Sequence, residues 1–363
     1  MKIALIQDSL LVCAGSERVF KCIVEEFPEA DIFTLAYNSN TTCPVFKNHQ
    51  INTSWANRFI RSHGLFKLLF PISTYIMQGW NFKSYDIIIS SSATTAKYIA
   101  RFNGKHFCFG YFPTRAIWDY KEYFIKDNFL SFTFKLFLPY LKYRDLKAAN
   151  RVSKFIAQSE ISKKAFKDIY DVESSIINSP IDYNKFKSGI FENKFNYYLI
   201  VSRLEQWKKL EYAIETFNEL GIDLKIIGTG PLEKELKSIA KTNIQFLGRV
   251  SDDTLVKEYG RAKALIFTPS LEYGLPPLEA NAAGTPVIAF GEGAINETML
   301  PYKPNSRFHT AVFFNRQDNE SLCEAINNFE NIQFNRQQLS KYAKKYSEEN
   351  FRQKLREFIV KNT

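Results

Sequence analysis

The sequence is poor in the residues that most often carry metal or redox chemistry. It holds four histidines and five cysteines in 363 residues, all dispersed. Cys13, Cys22, Cys43, Cys108 and Cys323 are odd in number and lack metal-ligand spacing, so they are expected to be reduced thiols, and no zinc centre is indicated. No stretch approaches the roughly 20 uninterrupted apolar residues of a transmembrane helix. The chain opens directly on a strand-like MKIALIQDSL with no leader pattern. Internal repeats and low-complexity tracts are also missing, which excludes solenoids and linker-like chains. These absences leave the expectation of a cytoplasmic globular protein.

Aromatic residues, by contrast, are abundant: 33 Phe and 19 Tyr. Lys and Arg together number 48 against 38 Asp and Glu, a formal net charge of +10. Such an excess suits anionic partners: phosphorylated substrates, acidic lipid or nucleic acid. No nucleic-acid reader motif accompanies it, so nucleic acid is not expected. The length suits two domains of about 150–190 residues, each able to bury its own core. Apolar runs such as Leu5-Ile6, Ile87-Ile88-Ile89 and Leu199-Ile200-Val201 recur between helix-like stretches, which predicts α/β units with parallel sheets.

The chain is organised around Phe267–Phe290, FTPSLEYGLPPLEANAAGTPVIAF, which reads as strand, loop, helix, strand. Pro276 and Pro277 fit a first helical turn, where a missing N–H costs nothing, and Gly284 closes the helix. A helix start of this kind offers unpaired N–H groups to an anion, and Gly274 lets a ligand approach the backbone. Glu279, one turn in, is placed to accept hydrogen bonds from hydroxyls. A phosphate beside hydroxyls describes a nucleotide sugar. Earlier in the same half, Arg203 and Lys208 of SRLEQWKK follow a strand end, where such folds bind ligands.

These stretches resemble family 4 of the retaining GT-B glycosyltransferases, and in particular its bacterial O-antigen mannosyltransferase-like branch. The resemblance implies two Rossmann-like doubly wound domains facing a central cleft: an N-terminal domain, 1–180, and a nucleotide-sugar-binding domain, 181–346. It also implies a C-terminal helix, 347–363, that packs back on the first domain. Arg203 and Lys208 match the family's diphosphate-binding pair. Glu272 corresponds to the carboxylate beside the transferred sugar, with six residues between it and Glu279 where the family has seven. Glu279 corresponds to the ribose ligand. Gly274, Leu275 and Pro276 lie in the phosphate loop, and Gly248, Arg249 and Val250 at the base-recognition strand end. AGSERV is similar to the branch's GGAERV, which puts Gly15 and Ser16 near the donor diphosphate and acceptor.

In GYFPTRAIWD, Pro113, Arg115, Trp118 and Asp119 match the branch, whereas Tyr111 replaces its histidine; Tyr111 and Arg115 are thereby assigned to the acceptor or sugar side. The implied reaction moves mannose from GDP-mannose to a polyprenyl-diphosphate-linked or other cell-surface glycan, without a cofactor or metal. A UDP-sugar donor, or a binding protein of the same fold that does not turn over, is the alternative. Two basic aromatic stretches, Trp55–Tyr75 and Phe124–Arg144, suit an anionic membrane surface. They place the protein at the inner face of the plasma membrane, bound peripherally through its N-terminal domain.

Several local expectations concern single elements. Ser16 is expected to cap a helix running to about Phe27, residues after Ser90 to form a turn and a helix through Arg101, and Lys185–Asn196 to be a mobile stretch. Pro231 is expected to open a helix.

Overall fold

Short runs rich in β-branched and aromatic residues form most of the strands, and every strand pairing among the described residues is parallel, as buried runs without polar alternation favour. The computed structural model describes residues 1–60, 70–100, 102–119, 129–190 and 196–363. Arg61, Phe66, Lys67, Leu69 and Arg101 lie outside them, as does Phe124. The described residues divide into two units: Met1–Ser179 with Phe351–Thr363, and Pro180–Asn350.

The first unit holds β1 (Ile3–Gln7), β2 (Asp31–Thr34), β3 (Ile51–Thr53), β4 (Ile87–Ser92), β5 (Lys105–Gly110), β6 (Lys154–Ala157) and β7 (Ser174–Ile176), in the spatial order β3-β2-β1-β4-β5-β6-β7. Its core is completed by the last helix, Glu348–Asn362. Phe351, Leu355 and Ile359 are buried there with Phe20, Ile23, Phe107 and Phe109. Arg352 pairs with Glu25 at 2.7 Å, and Arg356 with Glu26.

The second unit holds β8 (Tyr197–Val201), β9 (Asp223–Ile227), β10 (Ile244–Gly248), β11 (Leu265–Phe267), β12 (Val287–Phe290) and β13 (Ala311–Phe314), in the order β10-β9-β8-β11-β12-β13. Both sheets reverse their strand order beside the first strand, between β1 and β4 and between β8 and β11. Chain segments leaving the carboxyl ends of those two strands diverge, which opens a crevice where doubly wound sheets bind ligands.

Five local expectations are corrected. Cys13 and Cys43 are not free thiols but form a disulfide, with their Cα atoms 4.7 Å apart. They follow β1 and β2, which pair directly, so sheet pairing brings together residues that linear spacing left unrelated. Cys22, Cys108 and Cys323 are the free thiols. Residues 93–100 form no helix. Lys97, Tyr98 and Ile99 are all buried, 3%, 1% and 1% exposed, and three consecutive inward side chains do not suit one face of a helix. The first helix, Gly15–Glu26, is capped at Ala14, not Ser16: Glu17 reaches back to accept the Ala14 N–H at 3.1 Å. Within the expected mobile stretch, residues through Lys187 belong to a short helix, Tyr183–Lys187, whose Asp182 cap accepts the Lys185 N–H at 3.1 Å; residues 191–195 lie outside the described set. The helix after Pro231 begins at Glu233.

Lys97 itself is part of a buried polar cluster. Its ammonium lies 3.0 Å from the fully buried Asp145. Asp145 also accepts from the hydroxyls of Tyr98 and Tyr170, from the Trp118 indole at 2.8 Å and from Thr114 at 3.1 Å. A buried ion pair survives only when its remaining hydrogen-bonding capacity is filled, and here the four donors fill it.

The two basic aromatic stretches meet in space. Tyr75 and Tyr140 share a hydroxyl–hydroxyl hydrogen bond of 2.5 Å, and the Arg144 guanidinium lies 3.5 Å from the centre of the Tyr75 ring. Trp55, Phe59, Ile72, Tyr75 and Phe137 are exposed around them. Among the described residues no helix is long and apolar enough to cross a membrane.

Candidate nucleotide-sugar site

The crevice of the second unit lies between the loops after β8 and β11. The loop after β8 is fixed by the main chain. Leu204 is fully buried; its N–H donates to the Thr229 carbonyl at 3.0 Å and its carbonyl accepts from Leu232 at 3.1 Å. This close approach explains the glycines of Gly228-Thr229-Gly230. A Cβ on Gly228 would sit 1.8 Å from the Ser202 carbonyl oxygen, and one on Gly230 would sit 2.3 Å from that of Leu204. These glycines therefore let the strand ends pack and leave Arg203 on the rim, with its side chain 57% exposed.

Lys208 closes the one-turn 3-10 helix Gln206–Lys208. Its carbonyl accepts the Thr268 hydroxyl at 2.6 Å, which ties this turn to the segment leaving β11. Thr268 is itself held, its carbonyl accepting from Tyr212 at 3.1 Å and Gln317 at 2.8 Å. The Arg203–Lys208 turn and the Leu271–Gly274 loop are thus joined through one buried threonine.

Beyond Thr268 come Glu272, half-buried, and the helix Leu275–Ala282, with Gly274 as its cap and Pro276 and Pro277 in its first turn. A Cβ on Gly274 would lie 2.8 Å from the Phe267 ring, so glycine is required here by packing as well as suited to a ligand. The loop is braced from the far side: Leu271 bridges to Gly293, and its carbonyl accepts the Ala294 N–H at 2.8 Å. Glu279 is 5% exposed and accepts the hydroxyl of the fully buried Tyr259 at 2.8 Å. That hydroxyl orients the carboxylate. Gly248 ends β10, two strands from β8, with Arg249 and Val250 directly after it, and the Gly248 carbonyl accepts the Gly228 N–H at 2.9 Å. Arg249 is exposed.

In the first unit, Gly15 and Ser16 open the first helix, and Tyr111 lies beside them. The Tyr111 hydroxyl donates to the Ser16 carbonyl at 3.1 Å and is 2.9 Å from the Ser91 hydroxyl. Burial pushes this phenol well above its ordinary pKa, so it stays protonated. Arg115 starts a short helix, Arg115–Trp118, with its guanidinium 5.3 Å from the Phe112 ring. Trp118 is committed to Asp145.

Several residues of these two crevices escape sequence reading. Asp8, directly after β1, accepts the main-chain N–H groups of Ala93, Thr94, Thr95 and Ala96 at 2.5–2.8 Å and is 6% exposed. Glu17 is 3% exposed, and burial raises its carboxyl to about 7, against the lowering effect of its hydrogen bonds. In the second unit Thr268, Tyr259, Glu205 and Trp207 were missed. No local signal marks Asp8 or Tyr259, whose partners are distant in sequence. Glu205 and Trp207 lie inside the motif and carry a signal, a carboxylate and an aromatic between two cations.

Comparison with known proteins fits this arrangement. Residues 181–346 match the family described as glycosyl transferases group 1. The O-antigen chain mannosyltransferase RfbU of Salmonella typhimurium is 24% identical over 262 residues, 69% of each chain. Among solved structures, HepE of Anabaena in complex with UDP-glucose is similar with a TM-score of 0.70 at 17% identity, covering 99% of this chain and all of HepE. Sucrose-phosphate synthase of Thermosynechococcus elongatus is similar at 0.73 and 14% identity, with 99% of both chains covered. The chain therefore has the GT-B fold, two Rossmann-like units, and its residues 181–346 are similar to the glycosyl transferases group 1 family.

Proposed function

We propose that the protein is a retaining, metal-independent glycosyltransferase that moves mannose from GDP-mannose to a polyprenyl-diphosphate-linked or other cell-surface glycan. The observation that carries this reading is the joining of the Arg203–Lys208 turn to the Leu271–Gly274 loop through Thr268 at one crevice. Two cations and a helix start then share the position where a leaving diphosphate gathers charge, and preorganised charge of this kind is the main catalytic resource. Glu272 supports positive charge on the sugar's anomeric carbon, and Glu279, oriented by Tyr259, holds the ribose. The bond between the anomeric carbon and the diphosphate oxygen breaks while the acceptor oxygen bonds to that carbon on the same face. The acceptor's proton passes to the departing phosphate oxygen, so no protein base is needed. Arg203 and Lys208 supply the countercharge that a metal provides elsewhere. The mannosyl assignment is supported by the likeness to RfbU.

On the first unit, Ser16, Tyr111 and Arg115 form the acceptor or sugar side in this reading, and Gly15 is assigned to the donor. The joined aromatic and cationic stretches at Tyr75 and Tyr140 support docking on an anionic membrane at the inner face of the plasma membrane. A UDP-sugar donor is the second reading, favoured by the likeness to HepE bound to UDP-glucose. A binding protein without turnover is the third, favoured by Tyr111, whose hydroxyl is already engaged by Ser16 and Ser91.

One assay separates them. Purified protein is given a panel of nucleotide sugars with a lipid-linked acceptor, and nucleoside diphosphate release and glycan product are measured. GDP release with mannosyl product supports the first reading, UDP release the second. Tight donor binding with no release in any combination rejects transferase activity.

A further inference from the structure

The turn carrying Arg203 and Lys208 also carries an anion and an aromatic ring placed to act on both cations. Glu205 accepts the Trp207 indole N–H through Oε2, and the same oxygen lies 3.2 Å from the Arg203 guanidinium. Both cations lie over the Trp207 ring, whose centre is 3.9 Å from Lys208 Nζ and 5.7 Å from Arg203 Cζ. The backbone holds the turn closed: Lys208 N–H donates to the Glu205 carbonyl at 2.9 Å, and Lys209 reverses the chain at φ 51°. One carboxylate thus collects a guanidinium and an indole, while the indole's face collects an ammonium.

Two like charges brought together for one ligand repel when the ligand is absent. The Trp207 face attracts both, and the Glu205 carboxylate cancels one. The Arg203 side chain is 57% exposed and that of Glu205 21%, so their ion pair is of the weak, exchangeable kind. A diphosphate, with at least two charges and several acceptor oxygens, is the stronger partner for a guanidinium.

We propose that Glu205 is a built-in competitor of the donor's diphosphate. It occupies Arg203 when no donor is bound, yields the guanidinium to the diphosphate on binding, and takes it back as the nucleoside diphosphate leaves. Trp207, pinned through its N–H to the same carboxylate, is the positioning residue that keeps Lys208 aimed. The inference rests on the reading that a diphosphate binds at Arg203 and Lys208.

The test uses the full chain, with GDP, UDP and inorganic pyrophosphate as probes in titration calorimetry. Glu205→Gln keeps an acceptor for the indole and removes only the charge. It is expected to bind the diphosphates about 3- to 10-fold more tightly, with a kcat that falls together with KM as product release slows. Trp207→Phe is expected to weaken binding by about 3-fold. Trp207 is the only tryptophan between residues 180 and 350. Pyrophosphate, which has no chromophore, is therefore expected to change tryptophan fluorescence in the wild type and not in Trp207→Phe. Unchanged or weaker diphosphate binding by Glu205→Gln overturns the competitor role, and an unmoved fluorescence signal on binding overturns the role of Trp207. If Arg203→Ala and Lys208→Ala bind pyrophosphate and nucleotides as the wild type does, the underlying reading fails instead.

Discussion

The two units carry the same crevice in the same topological position and fill it differently. Between β1 and β4, four main-chain N–H groups converge on Asp8, an internal carboxylate that is almost wholly buried. Between β8 and β11, the corresponding rim carries Arg203 and Lys208 and a helix start. An array of N–H donors is the usual phosphate cradle of such sheets. In the first unit the protein supplies the anion itself, so those four N–H groups are already taken and brace the loop. In the second unit Glu205 pairs with Arg203 at 3.2 Å, and the Arg203 side chain is more than half exposed. On the proposed reading, a shared topology says where an anion goes, and burial of the internal carboxylate decides whether the anion comes from the chain or from a ligand.

The largest effect that tests this contrast is on stability. Asp8→Ala leaves four N–H groups of a buried turn without their acceptor, each worth about 1–3 kcal/mol, so a loss of at least about 4 kcal/mol is expected in urea unfolding. Pyrophosphate affinity should be unchanged as long as the chain is folded. A small stability change, or affinity falling with it, would break the comparison. On the other side, Lys208→Ala should lower turnover about 10²- to 10³-fold. Near-normal rates would mean that this rim does not stabilise the leaving group.

Glu17 gives the first crevice a pH signature. Its carboxyl titrates at about 7 in the folded chain. Between about 4.5 and 7 the folded state holds a proton that the unfolded state has lost, so stability falls as pH rises across that window, by up to about 3 kcal/mol. Glu17→Gln removes this slope, and its unfolding free energy should gain on the wild type from pH 4.5 to 7.5. Parallel curves for the two proteins would reject the assignment. Glu279→Ala should weaken nucleotide binding by about 10-fold or more, the worth of a charged hydrogen bond; an unaltered dissociation constant removes the ribose role. A further effect, small for each residue, lies outside both crevices. Replacing Arg58, Arg61 and Lys67 with Gln should reduce binding to anionic vesicles by about 1 kcal/mol per residue. Retained cosedimentation would show that the membrane face lies elsewhere.

What could be read in the sequence follows from the range of the interactions involved. Leu265-Ile266-Phe267, the Gly274–Pro277 helix start and the strand end before Arg203 are local patterns, and the structure shows each as the element its residues suggest. The parallel sheets followed from apolar runs without alternation. Contacts across the sheet were not legible. Asp8 meets residues more than 80 positions away, and Cys13 meets Cys43 only because β1 pairs with β2. The stretch 93–100 has a helix-compatible composition, but its N–H groups are claimed by Asp8 and its side chains by the core on both sides. Within SRLEQWKK the cations were recognised and the partners between them were not, since a motif of two charged positions says nothing about the residues it skips.

The final helix has a consequence for how the chain reaches its native state. Phe351, Leu355 and Ile359 belong to the core of the unit built by the first 179 residues. During synthesis that unit must wait, with an apolar slot open, while the whole 180–350 segment emerges and folds from the ribosome. A frameshift or proteolytic clip near residue 350 should therefore harm the opposite half of the molecule, and a separately supplied 348–363 peptide is the natural reagent for restoring it.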